Sequence, residues 1–491
     1  MSFISLWFIL FVFFINGVFY AVPLRWRNAV LLIASLIFVL SNSGAAVIWL
    51  LGAGTAAWLY GRGVEEGNKA CRSVWGLAGI SLLILFPLVL LKYVDILPGI
   101  SLEGKNLVFS ALLAPVGISF YTLSLLSYVA DVYRKKYVAS NKIGEFFIFL
   151  TFFPQIVQGP IARYDRNIEE FRRVHRFSWE GFTHGWQLIL WGYFQKFIVA
   201  DKAGIMVDAV YSDLDGFPGL YVAIAAALYS VQLYADFCGC VNIALGVAQT
   251  FGIFLEENFR QPYFAVSVRE FWRRWHMTLG GWLKDYIYIP LGGNRKGEGR
   301  QQLNILAVFA VSGLWHGAGL TYFLWGLLHG VYQSAELAVE RWGKKAGARK
   351  EKAVFDREKG AEGKIGRAAR LVLTFLLVTF AWMLFRAENL EHFVHMLRSM
   401  FSVWNPEVIL DGNMWFRMGL SRLQTVPLVL GILAMTAVDC LHEGGYHIRA
   451  WVDRRSLPVR WLLYLAALLF ILVFGTYGPA YSGNQFIYGR F

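Results

Sequence analysis

Two histidines set in oily sequence are the residues whose type and place could do chemistry. His316 lies in VFAVSGLWHGAGLTYFLWGLLHG (308–330), where two apolar arms meet at Gly317-Ala318-Gly319. An imidazole is the natural group to take a proton from a hydroxyl near neutral pH, because its unperturbed pKa is close to the working pH. Ionisable residues inside apolar segments are costly and mark function by default. The small residues after His316 would open the backbone and let a ligand approach the ring. Position alone equally admits a buried histidine satisfied by a backbone carbonyl. His329 follows in the same oily run. At about 100° per residue on a continuous helix it would stand more than half a turn from His316, on another wall, and reads as structural.

His276 belongs to EFWRRWHMTLGGWLKDYIYIPLGGNRKGEG (270–299), too polar to span lipid and too aromatic for an ordinary loop. Phe271, Trp272, Trp275 and Trp282 stand there among Arg273, Arg274 and Lys284. One reading is an interfacial, re-entrant aromatic belt whose arginines reach lipid phosphates. The other is an entrance for an anionic, phosphate-bearing donor. Asp236, an acid within LYADFCGCVNIALG (233–246), would orient a histidine, receive a substrate hydroxyl, or cap a broken helix. Cys71, Cys238, Cys240 and Cys440 have no metal-ligand spacing, so no metal is expected. A phosphate-binding loop and a G-x-S-x-G nucleophile elbow are also missing from the sequence.

The elements that must position these residues are membrane helices. Of 491 residues 57% are hydrophobic and 16% charged, against roughly a quarter charged in soluble proteins. Many segments approach the roughly 20 apolar residues that cross a hydrocarbon core, which predicts 11 to 12 spans in one polytopic domain, 1–491. The net charge of +13 falls in short clusters between oily segments, where the positive-inside rule places it, and so argues against nucleic acid. The first apolar run carries no positive residue before it and Arg25 and Arg27 after it, and reads as a retained helix starting outside rather than a cleaved signal.

With that orientation the charges alternate consistently. An oily pair over 28–60 breaks at Ser41-Asn42-Ser43-Gly44, 74–91 goes out, and 106–130 returns to Arg134, Lys135 and Lys136. The run 146–162 holds Pro154 and Gly159-Pro160 between two basic clusters, so it should dip in and return on broken backbone. Residues 179–200 lead out to an acidic loop of Asp201, Asp208, Asp213 and Asp215, and 218–254 brings the chain back, which leaves the His276 segment cytoplasmic. A hairpin over 303–339 precedes a basic block, 341–370, with eleven basic and four acidic residues, expected to be a solvated cytoplasmic loop. Spans at 371–386, 425–441 and 459–476 complete the chain, with both termini external. Internal duplication is not seen, which weakens a transporter reading.

Four pieces together resemble the membrane-bound O-acyltransferase family, in its bacterial alginate-acetylating and teichoic-acid-alanylating branch. They are PVGISFYTLSLLSYVADVYR (115–134), FFPQIVQGPIARY (152–164), ENFRQPYFAVSVREFWRRWHMTLGGWLKDYIYIPLGGNR (257–295) and SGLWHGAGLTYFLWGLLHG (312–330), within a core of about 110–335. The terminal FIYGRF departs from the branch's usual aromatic ending at Gly489-Arg490. The resemblance implies an all-α ring of tilted helices, with re-entrant and interfacial pieces, around a tunnel joining a cytoplasmic and an external funnel. It places His316 at the family's catalytic histidine and His276 at its second functional position, and keeps His329 and Asp236 as secondary candidates.

The reaction so implied moves an acyl group from a cytoplasmic thioester to a hydroxyl beyond the membrane, with no bound cofactor. His316 would be the base, and His276 would hold the donor or polarise its carbonyl. Arg273, Arg274, Trp275 and Lys284 would meet the donor. Acetyl-CoA is the expected donor, with an acyl carrier protein as the alternative. The expected acceptor is an exported polysaccharide such as alginate, reached through an external SGNH-type partner, at a bacterial inner membrane. D-alanyl transfer to teichoic acid and, from another class, a non-catalytic glycan exporter or flippase are the rivals.

Overall fold

The computed structural model describes residues 1–93, 116–347 and 363–477. Every regular element among them is helical, and their one extended contact is an antiparallel bridge between Phe259 and Trp275. Among the described residues six helices are long and apolar enough to cross a membrane: Leu24–Ser43, Val74–Tyr93, Leu220–Thr250, Lys364–Arg386, Arg422–Glu443 and Leu457–Phe474. Leu6–Ala21 is apolar but shorter. Residues 106–115 of one expected span, 348–362 of the basic block and the FIYGRF tail lie outside the described residues. On either side of 348–362 the helices Leu320–Gly347 and Lys364–Arg386 run into the basic block.

The described residues form two compact units, the first of Met1–Tyr193 with Phe237–Glu257, the second of Phe194–Asp236 with 258–477. In the first, the expected break after Ser43 is a left-handed Gly44 between the helices Arg27–Ser43 and Val47–Glu65. The run 146–162 is broken as its prolines demand, into Ile143–Thr151, the short Phe153–Ile156 and an irregular return to Tyr164–Arg172. Freed backbone groups in an apolar interior must find partners, and side chains supply them. Gln155 Nε2 donates to the Pro160 carbonyl at 2.7 Å, Asn167 Nδ2 donates to Gln155 Oε1 at 2.7 Å, and the Phe153 N–H donates to Ser35 Oγ at 3.1 Å.

Helix contact in this unit depends on small residues. A Cβ on Gly192 would lie 2.5 Å from the Gly239 carbonyl oxygen, and one on Gly185 2.6 Å from that of Gly246, so two backbones touch one heptad apart.

In the second unit the expected hairpin is Glu298–His316 packed on Leu320–Gly347. Its arms cross where a Cβ on Gly326 would meet the Phe309 carbonyl oxygen at 2.2 Å, and one on Gly313 the Tyr322 carbonyl oxygen at 2.3 Å. The expected acidic loop is shorter than the charges suggested. Helix continues through a π-helical stretch, Gln195–Ala200, into Asp201–Ser212, so the loop begins at Asp213. Asp201 is buried against Lys196 at 2.9 Å, and Asp208 pairs with Arg386 at 2.7 Å.

Gly192→Ala should cost about 1–3 kcal/mol, because the backbone it meets cannot give way. Gly17→Ala, with nothing within 4 Å of its Cβ, should be neutral or gain up to about 1 kcal/mol from helix propensity. Apparent melting in detergent, read by fluorescence size-exclusion after heating, checks the contrast.

Candidate active site

The His276 segment forms two helices of seven residues, Val268–Arg274 and Met277–Leu283, and a π-helical turn, Lys284–Tyr288. None can span a bilayer, and helices this short do not hold alone in water. They are fastened by polar contacts. Ser267 Oγ accepts the Glu270 N–H at 3.1 Å. The Glu336 carboxylate, from the second arm of the hairpin, accepts the N–H groups of Val268 at 2.5 Å and Arg269 at 3.0 Å, an acid at a helix N-terminus where free donors and dipole favour it.

At the other end Arg274 is held by Glu443 through two bonds, 2.6 and 3.1 Å, and by Glu270 at 2.6 Å. The Glu443 bonds, ahead of the other contacts, push its pKa up.

Between the two helices His276 takes a left-handed backbone, φ 45° and ψ 53°, which costs a non-glycine residue roughly 1–2 kcal/mol. A strip of extended chain imposes it. The Arg260 N–H donates to the Arg274 carbonyl at 2.9 Å, the Met277 N–H to the Asn258 carbonyl at 3.0 Å, and the Thr278 N–H and hydroxyl to Asn258 Oδ1 at 3.1 and 2.6 Å. Burial lowers the His276 pKa to about 3, so the ring is neutral at working pH.

His316 is the last residue of the first arm, with 2% of its surface exposed. Aromatic rings surround it, with centroids at 4.7 Å for Trp315, 5.1 Å for Trp325 and 5.4 Å for Phe385. The Trp315 ring is also 6.2 Å from that of His276, so both histidines pack on one indole. Among the small residues that follow, a Cβ on Gly317 would strike the Tyr322 ring at 2.4 Å, so packing also favours glycine there.

His329 overturns the argument from a continuous helix. The chain breaks after His316, and His329 lies on the second arm, its ring 5.2 Å from the same Trp325 that His316 touches. Its Nδ1 accepts the indole N–H of Trp272 at 3.2 Å. Its Nε2 is buried and meets no acceptor among the described residues, an arrangement that costs about 1–3 kcal/mol when nothing fills it. Trp382, on Lys364–Arg386, stacks on Trp325 at 5.6 Å and closes the aromatic wall.

The remaining candidates divide. Arg273 and Lys284 are exposed. Arg274 is occupied by two carboxylates, and Trp275 is buried among Phe259, Tyr263, Phe271 and Trp382, so these two position the segment rather than present an open face. Asp236 does not cap a helix end: it lies inside the unbroken Leu220–Thr250 and pairs with buried Lys196 at 2.7 Å. Among the described residues no three His, Cys, Asp or Glu side chains are grouped to hold a metal. Sequence reasoning passed over Asn258, Lys196, Trp325, Trp382 and Phe385. Only Trp325 left a signal, since it precedes His329 by four residues and so shares its helix face.

Fold and site define a polytopic helical membrane protein with three buried imidazoles, His276, His316 and His329. A profile of the membrane-bound O-acyltransferase family matches residues 138–356. The probable alginate O-acetylase of Pseudomonas putida is 34% identical over 431 residues, 85% of this chain and 83% of that protein. A peptidoglycan O-acetyltransferase of Helicobacter pylori is 31% identical over 356 residues, 66% and 63% of the two chains. A teichoic acid D-alanyltransferase of Streptococcus thermophilus is 27% identical over 324 residues, 62% and 74%. The chain belongs to the membrane-bound O-acyltransferase family, and it is an O-acyltransferase of the cell membrane.

Arg274→Lys keeps the charge but not the two-pronged hold on Glu443. It should lower stability by about 1.5–3 kcal/mol, whereas Arg273→Lys should stay within about 0.5 kcal/mol of the parent. Melting in detergent again provides the reading.

Proposed function

We propose that this protein takes an acetyl group from a thioester made in the cytoplasm and passes it across the membrane for O-acetylation of an exported polysaccharide. The observation that carries this reading is that buried His276 and His316 both pack on the ring of Trp315, at 6.2 and 4.7 Å between ring centroids. A thioester already activates its carbonyl, so the protein must supply proximity, a base and stabilisation of the oxyanion. His316 is the base for the acceptor hydroxyl. His276, neutral and fixed by its left-handed backbone, holds the donor. Arg273 and Lys284, exposed on the same short segment, attract the phosphates of acetyl-CoA, and Arg274 and Trp275 keep that segment in place. The acceptor is presented through an external esterase-like partner.

The relatives support acetyl over D-alanyl. Those named for alginate acetylation share 32–34% identity over 84–86% of the chain, against 27% over 62% for one named for D-alanyl transfer.

Purified protein incubated with labelled acetyl-CoA, the external partner and polysaccharide should transfer label. His316→Ala should lower the rate by about 10²- to 10⁴-fold, the usual worth of a general base, at unchanged protein level in the membrane. Arg273→Ala should raise KM for acetyl-CoA several-fold and leave kcat nearly unchanged, as expected of a group that holds ground state and transition state alike. Label taken only from a D-alanyl carrier would replace the donor, and normal transfer by His316→Ala would remove the base.

A further inference from the structure

We infer that His329 is a second catalytic group, a neutral Nε2–H donor that receives the oxygen of the acyl carbonyl while His316 takes the proton. The inference deepens the proposed function and rests on that reading of His316.

Three observations carry it. The Trp272 indole nitrogen can only donate, and it donates to His329 Nδ1 at 3.2 Å. Nδ1 is therefore the unprotonated nitrogen, and the ring proton sits on Nε2. That proton is buried, at 0% exposure for the residue, and meets no acceptor among the described residues. Finally, the rings of His316 and His329 pack on one indole, Trp325, at 5.1 and 5.2 Å and nearly perpendicular to it. Ser312 Oγ and Trp325 Nε1 are also buried without an acceptor among the described residues. Ser312 lies one turn before His316, and Trp325 one turn before His329, so each pair shares a face of its arm. Stranded donors on both arms beside the proposed base suit an oxygen that gains negative charge during reaction.

The step balances as follows. The acceptor hydroxyl gives its proton to His316 as its oxygen bonds to the thioester carbon. The C=O pair moves onto oxygen, where the Nε2–H of His329 holds it. The tetrahedral species then re-forms C=O and breaks C–S, and the leaving thiolate takes the proton from His316. His329 gives up no proton throughout, as its locked Nδ1 requires.

Asparagine and glutamine separate the two nitrogens. His329→Asn puts an amide oxygen near the Nδ1 position, keeps the Trp272 bond and loses the Nε2 donor. His329→Gln puts an amide N–H near the Nε2 position and loses the Trp272 acceptor. In a labelled acetyl-CoA assay at matched membrane levels, His329→Asn should lose about 10²- to 10³-fold in kcat, the scale of one lost oxyanion donor. His329→Gln should retain at least tenfold more activity than His329→Asn. Equal losses, or the reverse order, would assign His329 to packing and overturn the inference. Normal rates in both would do the same.

If either variant fails to accumulate, Trp272→Phe removes the locking N–H together with part of the indole's packing. A transfer rate that stays within threefold of the parent refutes the lock; a larger fall supports it only where the His329 tautomer changes with it, and a fall with the tautomer kept assigns the loss to packing. Nitrogen NMR of histidine-labelled protein reads the tautomer without any activity. Protonated Nε2 at His329 is expected, and protonated Nδ1 would refute the assignment even if acyl transfer by His316 stands. Conversely, normal transfer by His316→Ala sinks the reading of function and leaves the tautomer measurement intact.

Discussion

The bond from Trp272 to His329 joins parts of the chain that neither length nor hydropathy would hold together. Val268–Arg274 is too short to persist as a free helix, and its aromatic residues alone would let it slide along any apolar wall. The indole N–H fixes its register against the second arm of the hairpin, and the Glu336 cap fixes its start on the same arm. With both ends of that contact set, the following residues have little choice. Asn258 and Arg260 bind the chain on either side of His276, which must then turn through left-handed backbone to enter the next helix. The strain at His276 is thus the local cost of a junction that several hydrogen bonds over-determine.

Much of this was legible in the residues. Prolines and glycines marked real breaks, at 41–44, 154–160 and 317–319, because ring geometry and missing Cβ atoms act locally wherever they occur. The length of the hairpin arms followed from hydropathy. What failed depended on partners far along the chain. Arg274 looked like a donor-facing cation, but its carboxylate partner is Glu443, and Trp275 is covered partly by Trp382. Asp201 looked like part of an exposed acidic loop because Lys196, one turn away, was not weighed as its partner. The angle expected between His316 and His329 holds only along one continuous helix, and the first arm ends at His316.

Buried Lys196 pairs with both Asp201 and Asp236, at 2.9 and 2.7 Å. Burying such ions carries a desolvation cost that only close pairing offsets, and the π-helical stretch Gln195–Ala200 begins at this cluster. Around His316 the neighbours are rings instead: Trp315, Trp325 and Phe385. Aromatic faces attract a cation by their quadrupole, by roughly 0.5–2 kcal/mol and more strongly where water is excluded.

That choice of wall bears on the chemistry a histidine can do there. Strong stabilisation of the imidazolium would make the ring a better base but a poorer acid, and acyl transfer needs both, since the proton accepted from the hydroxyl must be returned to the leaving thiolate. Brønsted behaviour favours a pKa near the operating pH for such a group.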